Sequence, residues 1–312
     1  MSESQPIICI GGANIDRKLY VKDKAQFGTS NPVQSALSVG GVARNIAENL
    51  GRLDLEVILL TASGTDSDWS FITEGSSLYM NLDYVSQIPG MATGSYSAVL
   101  DPEGELIIAL ADMDVYEEIT PELLRKQDVL LKQAKCIIAD LNCPKGTLQF
   151  ICDFAKSHQR PLALIPVSSP KMNRLPDDLK GVTWLITNRD ESEMFLKGKM
   201  NTDQEWKDAL KKWLSLGIAN VVITNGKKGA MIGNREEGIF HFPSIETKDI
   251  VDVTGAGDAF SSAVIYSWLN GQRLIDIARA GAVNAFKTLQ CADTVRKDLS
   301  PVQLQKDMEE LS

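Results

Sequence analysis

The apolar run Ile7-Ile-Cys-Ile10, followed by the glycine pair Gly11-Gly12, predicts a buried strand that ends in a turn. Short runs of the same kind recur along the chain, at residues 57–60, 136–139, 184–187 and 221–224. Helical patterns lie between these runs, at residues 43–52, 148–157, 202–216 and 259–269. This alternation predicts an α/β fold, in which a mostly parallel sheet carries helices on both faces.

Two stretches, residues 16–38 and 89–114, interrupt this pattern. They are rich in alternating apolar and polar residues and in turn residues such as Asp101-Pro-Glu-Gly104. Because neither stretch can bury both faces of a sheet alone, we expect them to form a small β lid over the active site. The α/β core then comprises residues 1–15, 39–88 and 115–312.

The composition excludes several classes of protein. Of the 312 residues, 44% are hydrophobic, which is typical of a soluble globular protein, and no apolar run is long enough to cross a bilayer. The first residues, Met1-Ser-Glu-Ser-Gln-Pro6, lack the ordered basic and apolar regions of a secretory leader. We therefore expect a cytoplasmic protein that does not bind membranes.

The charge and the titratable side chains narrow the function further. The formal net charge is −9, and no cluster of lysines and arginines reverses it locally, so a nucleic acid partner is not expected. The 5 cysteines show no C-x-x-C spacing, which favours free thiols in a reducing compartment. The 2 histidines lie outside any nucleophile or metal motif, which disfavours a Ser-His-Asp hydrolase and a histidine-ligated metal centre.

The segment Asp252-Val-Thr-Gly-Ala-Gly-Asp-Ala-Phe260 places a carboxylate directly after a glycine-rich turn and at the start of a helical pattern. Outward-facing peptide N–H groups at a helix N-terminus favour a phosphate, so Gly255, Ala256 and Gly257 are candidates for an anion hole. Asp258 would then lie close enough to a bound hydroxyl to act as a general base in phosphoryl transfer. An isolated G-x-G-D is usually a loop with an aspartate helix cap, but the longer match favours the functional interpretation.

Together with four other segments, this motif resembles the PfkB, or ribokinase-like, carbohydrate kinase family. The segments follow the family order across nearly the whole chain: Ala13-Asn-Ile-Asp16, Gly40-Gly-Val-Ala-Arg-Asn45, Asn188-Arg-Asp-Glu191, Thr224-Asn-Gly-Lys-Lys-Gly229 and Gly255-Ala-Gly-Asp258. The resemblance implies an ATP-dependent kinase that uses Mg²⁺ and acts on a sugar or nucleoside. It also implies Asp258 as the catalytic base beside the anion hole.

The resemblance assigns roles on the nucleotide side as well. Asn188 and Glu191 inherit contacts with hydrated Mg²⁺ and phosphates, although their segment alone would indicate a helix cap. Thr224, Gly226 and Gly229 inherit contacts with ATP, and alone would indicate a tight turn. Asp252 begins a loop whose carbonyl groups bind a monovalent cation such as K⁺ in several family members. From the residues alone, Asp252 is equally well a structural aspartate.

On the substrate side, Asn14 and Asp16 match family residues that bind ribose hydroxyls, and Asp16 is suited to accept from two neighbouring hydroxyls. Further family residues that bind the substrate match Gly40, Gly41 and Asn45. Asn142 follows the predicted strand at 136–139. The carboxyl ends of parallel strands are where ligands bind open sheets, so it is a further candidate substrate contact.

Finer features are similar to the pseudouridine kinase subgroup and imply phosphorylation of the 5′-hydroxyl of a ribosyl nucleoside. The lid residue Asp112 could then meet a polar nucleobase edge, although an exposed acid at the end of a hairpin is the alternative. Val42 stands where ribokinases usually have lysine. The similar segments are Gly40-Gly-Val-Ala-Arg-Asn-Ile-Ala-Glu-Asn-Leu50, Ala111-Asp-Met-Asp114, Ala139-Asp-Leu-Asn142 and Pro166-Val-Ser168.

The chain also departs from the family pattern. In Gly64-Thr-Asp-Ser-Asp-Trp69, tryptophan replaces the last glycine of G-x-D-x-x-G, and we favour a helix-capping role for Asp66. No basic residue accompanies Asp16 in a pattern that indicates a phosphorylated sugar, so such a substrate is disfavoured.

Three other functions stay open: a ribokinase or another sugar or nucleoside kinase of the family, a non-catalytic nucleoside sensor, and a Rossmann dehydrogenase. The chain lacks the nucleotide-binding fingerprint of a Rossmann dehydrogenase, because Gly11-Gly-Ala-Asn-Ile-Asp16 does not supply G-x-G-x-x-G. The family resemblance also leads us to expect a homodimer that forms through the lid.

Overall fold

A computed structural model of the protein describes residues 5–245 and 249–311. Its strands are β1 Ile7–Ile10, β2 Asn14–Val21, β3 Val33–Gly40, β4 Val57–Leu60, β5 Ala62–Ser63, β6 Ser86–Gln87, β7 Ser95–Leu100, β8 Leu106–Asp112, β9 Cys136–Asp140, β10 Leu162–Ile165, β11 Trp184–Asn188, β12 Asn220–Thr224, β13 Ala230–Asn234 and β14 Gly238–Phe242. Its α-helices are α1 Val42–Arg52, α2 Ser67–Ser76, α3 Pro121–Arg125, α4 Asp128–Gln133, α5 Lys145–Ser157, α6 Arg189–Leu196, α7 Asp203–Ser215, α8 Ala256–Leu269, α9 Leu274–Leu289 and α10 Pro301–Glu310. Short 3-10 helices lie at Asp114–Glu118, Ser169–Arg174 and Gly226–Lys228.

The large sheet has the strand order β14-β13-β12-β11-β10-β9-β1-β4. Strands β4, β1, β9, β10, β11 and β12 run parallel, and β13 and β14 add an antiparallel edge. The predicted α/β fold with a mostly parallel sheet is therefore confirmed. In a parallel sheet all carboxyl ends meet at one edge, so the loops after β1, β9 and β10 are neighbours.

Alternate residues of the buried strands pack against helices on opposite faces of this sheet. Ile8 and Ile10 belong to a core cluster with residues of α5 and α7, whereas Ile7 and Cys9 belong to a second cluster with residues of α1, α8 and α9. The fully apolar composition of the strands follows from this burial on both faces. The sheet therefore lies between two layers of helices, and the loops that follow its parallel strands emerge at one edge of the sheet.

A separate sheet with the strand order β3-β2-β7-β8 projects from the core. β2 and β3 are antiparallel, β7 and β8 form an antiparallel hairpin, and β2 pairs with β7 in parallel. The predicted hairpin within residues 89–114 is therefore present. The strands run from Asn14 and to Gly40, slightly beyond the predicted lid segments, and the division of the chain into core and lid stays a prediction.

The two faces of this small sheet differ. Asp16, Tyr96 and Ala111 lie side by side on one face, whereas Leu37 and Leu110 lie on the other and are exposed. One face is therefore available to a ligand, and the other presents apolar side chains to solvent. Across residues 5–245 and 249–311, no helix is long and apolar enough to cross a membrane.

Candidate active site

The first turn of α8 begins at a glycine that provides no side-chain cap. Gly255 precedes the helix with φ of 82°, and no side chain in the described part of the chain caps it. A side chain at Gly255 is not tolerated, because its Cβ atom would lie 2.0 Å from the carbonyl oxygen of Thr294. A Cβ atom at Gly257 would instead meet nothing within 4 Å among the described residues. The first turn of an uncapped helix offers unpaired N–H groups to an anion, and the anion hole at residues 255–257 stays a prediction.

Asp258 is the third residue of α8. Its carboxylate Oδ2 accepts a hydrogen bond of 2.8 Å from Nδ2 of Asn45, and the residue is half-buried at the wall of a cavity. The pKa of Asp258 is raised to about 7, chiefly by burial; the nearby carboxyl groups of Asp140 and Asp16 act in the same direction, and the Asn45 hydrogen bond opposes them. A base with a pKa near neutrality is well matched to proton abstraction at physiological pH.

A buried network on α1 holds the Asn45 amide in place. Nη1 of Arg44 donates to Oδ1 of Asn45 at 3.1 Å, and Nε of Arg44 donates to Ser76 at 3.0 Å. Arg44 also forms a buried ion pair with Glu48, which in turn binds Arg52 at 2.7 Å. Because Arg44 fixes the amide oxygen, the amide nitrogen faces Asp258. The sequence indicated Asn45 as a substrate contact and did not reveal this link to the base.

A cavity of about 650 Å³ lies in front of Asp258. Asp16 contributes a carboxylate to its wall and accepts a hydrogen bond of 2.7 Å from Nδ2 of Asn14. Gly40 packs against Asp16, since a Cβ atom there would lie 2.2 Å from the Asp16 carboxylate oxygen. Predicted site residues that line the cavity are Asn14, Asp16, Gly41, Asn45, Asn142, Gly255 and Asp258.

Asp140 organises the floor of this region, and the sequence analysis gave it no role. Its buried carboxylate accepts hydrogen bonds from the backbone N–H groups of Gly12 and Ala43, both at 2.9 Å, and of Asn142 at 2.8 Å. Burial raises the pKa of this carboxyl group above its ordinary value. One side chain thereby connects the loop after β1, the start of α1 and the loop after β9. The feature of the sequence that could have indicated this role is the lone carboxylate at the end of the apolar strand β9.

Two basic residues also line the cavity, although the sequence indicated no basic residue placed for a phosphorylated substrate. Lys171 and Arg174 lie on the 3-10 helix that follows β10. Nζ of Lys171 donates to Oδ1 of Asn142. Nη1 of Arg174 donates to the backbone carbonyl of Asn142 at 2.7 Å, and its Nη2 pairs with Glu117 at 2.7 Å. The sequence did not reveal them because they lie more than a hundred residues from Asp16 and match no motif.

Asp112 is not among the residues that line the cavity. Its neighbours Ala111 and Met113 line it instead, because successive side chains of a strand point to opposite faces. The alternative interpretation, an exposed acid at the end of the hairpin, fits this position, since Asp112 is exposed. The geometry gives no support to a substrate contact by Asp112.

A second cavity of about 300 Å³ is lined by Ala256 and Gly257, whose chain neighbours Gly255 and Asp258 line the first. Thr224, Gly226 and Gly229, the predicted ATP contacts, lie on its wall together with Ala256 and Gly257. The remaining wall is largely apolar and includes Val253, Phe260, Ala285, Phe286 and Leu289. A flat apolar ligand with a phosphate tail directed at the start of α8 fits this arrangement.

Asn188 and Glu191 form the helix cap that their segment alone indicated. Asn188 Oδ1 accepts from the backbone N–H of Glu191 at 2.9 Å, and Glu191 Oε2 accepts from that of Asn188 at 2.8 Å. Burial raises the pKa of Glu191. Within the described residues no group of three or more His, Cys, Asp or Glu side chains is placed to hold a metal ion. Direct metal ligation by Glu191 is not supported, and contact through water stays a prediction.

Asp252 is engaged by protein groups. It forms an ion pair with Lys18 of the small sheet, and its Oδ1 accepts from the backbone N–H of Thr254 at 2.9 Å and from the Thr254 hydroxyl at 2.7 Å. These bonds fit the structural interpretation of Asp252, and a monovalent cation at its loop stays a prediction. Asp66 caps α2 by accepting from the backbone N–H of Trp69 at 3.0 Å, so the expected cap is confirmed.

Comparison with known proteins agrees with this geometry. A profile of the pfkB family carbohydrate kinases matches residues 4–299. Pseudouridine kinase of Escherichia coli (strain K12) is 31% identical over 302 residues, which covers 96% of this chain and 95% of the relative. The crystal structure of a carbohydrate kinase from Agrobacterium tumefaciens has a TM-score of 0.82 and 30% identity, and covers 98% of both chains.

A ribokinase from Arabidopsis thaliana, solved as a complex with ribose and ATP, has a TM-score of 0.87 and covers 98% of this chain and 99% of its own. Its identity is 19%, so this likeness concerns the fold. The matches extend over nearly the full described core and small sheet. The chain therefore belongs to the PfkB family of carbohydrate kinases.

Proposed function

We propose that the protein is an ATP-dependent nucleoside kinase that phosphorylates the 5′-hydroxyl group of pseudouridine. The observation that carries this proposal is the position of Asp258 in the first turn of α8, a turn whose residues line both cavities. A hydroxyl group from the larger cavity and a phosphoryl group from the smaller one would approach each other at this point.

Asp258 acts as the general base in this proposal. It accepts the proton of the 5′-hydroxyl as the oxygen attacks the γ-phosphorus, and the bond between that phosphorus and the leaving oxygen of ATP breaks. Peptide N–H groups of residues 255–257 stabilise the charge on the transferring group. Asn188 and Glu191 would contact hydrated Mg²⁺ through water, and the ion would supply further charge neutralisation.

The ribose lies against the small sheet in this proposal. The Asp16 carboxylate, steadied by Asn14, accepts hydrogen bonds from the 2′- and 3′-hydroxyl groups. These contacts use the face of the sheet that lines the cavity, so the sheet acts as the lid of the substrate site. A closed lid keeps water away from the phosphoryl group and suppresses hydrolysis of ATP.

Two observations support a nucleoside over free ribose. The cavity of about 650 Å³ extends beyond Asp16 to the 3-10 helix at 169–174, which leaves room for a base. The relative from Escherichia coli, whose sequence covers nearly all of this chain, is a pseudouridine kinase. Ribokinases are also among the relatives, as in Staphylococcus aureus (strain COL) at 27% identity, so the substrate itself must be tested.

The proposal is tested by measuring phosphoryl transfer from Mg-ATP to pseudouridine, uridine, adenosine, ribose and fructose. We expect the highest kcat/KM with pseudouridine. Turnover of ribose without turnover of pseudouridine would make the protein a ribokinase. Nucleoside binding by calorimetry without any transfer would support the sensor alternative and contradict a kinase.

A further inference from the structure

Lys171 is a charged residue of the larger cavity for which the proposed reaction has no use. It is half-buried, and its Nζ donates to the neutral side-chain oxygen of Asn142. Among the residues that the structure describes, no carboxylate lies within 4.0 Å of this ammonium group, although burial lowers its pKa. An ammonium group has three donors, so Lys171 has donors left for a ligand.

The neighbouring Arg174 differs in this respect. Its guanidinium group is paired with Glu117 at 2.7 Å and bonded to the Asn142 carbonyl at 2.7 Å. Arg174 therefore positions the loop after β9, while Lys171, which bonds to Asn142, has further donors available at the cavity wall. Burying an ammonium group without a full set of acceptors costs free energy, which a ligand acceptor would recover.

The charge of the wall indicates what kind of acceptor fits. Four carboxylates line the cavity and only two basic side chains do: Asp16, Asp114, Glu117 and Asp258 against Lys171 and Arg174. This surplus of negative charge opposes a phosphate or carboxylate ligand. A neutral carbonyl oxygen accepts from an ammonium group without bringing a further negative charge, and is the better match.

The position of Lys171 relative to the base completes the inference. Asp258 is tied to Asn45 on α1, whereas Lys171 is tied to Asn142 in the loop after β9. A nucleoside with its 5′-hydroxyl at Asp258 and its ribose at Asp16 places its base along the remaining wall, which includes Ser168 and Lys171. We propose that Lys171 donates a hydrogen bond to a carbonyl oxygen of a uracil-type base and so selects nucleosides over free ribose. This role rests on the proposed nucleoside kinase function.

The test is the variant Lys171→Met, which keeps a long side chain and removes the donor. A hydrogen bond to a charged donor is worth roughly a 10- to 100-fold change in affinity, so we expect KM for pseudouridine to rise by about that factor. We expect kcat, and KM for ribose, to stay within about threefold. Lys171→Arg keeps a charged donor and should restore part of the lost affinity.

The matched control is Lys132→Met on α4, where the lysine pairs with Asp128 at the surface, outside the cavity wall. It should leave every constant unchanged. Thermal melting shows whether each variant is folded, and Lys171→Leu, which also removes the donor, carries the same test if the methionine variant unfolds.

Several results would overturn the role of Lys171. An unchanged KM for pseudouridine in the folded Lys171→Met variant would contradict the role of Lys171 and leave the proposed function intact. An equal rise in KM for ribose and for pseudouridine would show that Lys171 has a structural role. Preferential turnover of fructose 6-phosphate, lost in Lys171→Met, would assign Lys171 to a phosphate instead. If the wild-type enzyme phosphorylates no nucleoside, the proposed function itself fails, and the role of Lys171 fails with it.

Discussion

At Asp258, opposing effects act on one carboxyl group. Burial is the largest and favours the protonated form, and the carboxyl groups of Asp140 and Asp16 act in the same direction. The hydrogen bond from Asn45 favours the ionised form. The resulting pKa of about 7 leaves the group basic enough to take a proton from a hydroxyl and largely ionised in a slightly alkaline solution.

This pKa predicts the pH dependence of the reaction. Because the base must be ionised, and its pKa is raised to about 7, we expect kcat/KM to fall about tenfold for each pH unit below that value and to level off above it. The profile is measured between about pH 5 and 9 with saturating Mg-ATP. A profile without an acidic limb in this range would contradict the assignment of the base.

At the scale of elements, α8 offers a comparison of two glycines in one turn. Gly255→Ala forces a Cβ atom to within 2.0 Å of the Thr294 carbonyl oxygen at a φ of 82°, so we expect a destabilisation of about 1–3 kcal/mol. Gly257→Ala meets no described atom within 4 Å, and should leave the melting temperature nearly unchanged while raising KM for ATP. Thermal melting and ATP titration of both variants check this. An unaffected ATP constant in Gly257→Ala would argue against phosphate binding at this turn.

Much of the architecture could be predicted from local patterns. Apolar runs predicted the strands β1, β4, β9, β11 and β12, and helical periodicity predicted the helices α1, α5, α7 and α8. Both patterns arise because the buried side of an element carries apolar residues. The hairpin of β7 and β8 followed from its turn residues. Such signals lie within a few neighbouring residues, so they can be recognised in a single sequence.

The arrangement of the site was harder to predict because its contacts join distant parts of the chain. Asn45 and Asp258 are 213 residues apart, and no local pattern shows that the amide of one bonds to the carboxylate of the other. Lys171 enters the cavity only because the loops after β9 and β10 meet at one sheet edge. The segment of Asp112 indicated either a substrate contact or an exposed acid, and the alternation of strand faces makes Ala111 and Met113, not Asp112, line the cavity.

At the scale of the whole molecule, ion pairs connect the small sheet to the core. Arg17 binds Asp68 of α2, and Lys18 binds Asp252 in the loop before α8. These two bonds hold the cavity face of the sheet over the site. The second pair also connects the strand that carries Asp16 with the segment that leads to Asp258.

The outer face of the small sheet predicts the oligomeric state. Its apolar side chains Leu37, Ile108 and Leu110 are 46%, 47% and 58% exposed and lie on one face, a surface that a second copy of the chain would cover. We expect a homodimer by light scattering, and a monomer for the double variant Ile108→Glu, Leu110→Glu. A monomeric wild-type protein at micromolar concentration would contradict a dimer through the lid.

The account as a whole depends on Asp258 as the base between the two cavities, and the variant Asp258→Asn tests it most directly. We expect kcat for phosphoryl transfer to fall by about 10²- to 10⁴-fold, the usual contribution of a general base, with ATP binding retained. The variant should melt no lower than the wild-type protein, since asparagine removes a charge that burial disfavours. Wild-type turnover by the folded Asp258→Asn protein, measured with the substrate that the wild type prefers, would contradict the proposed mechanism.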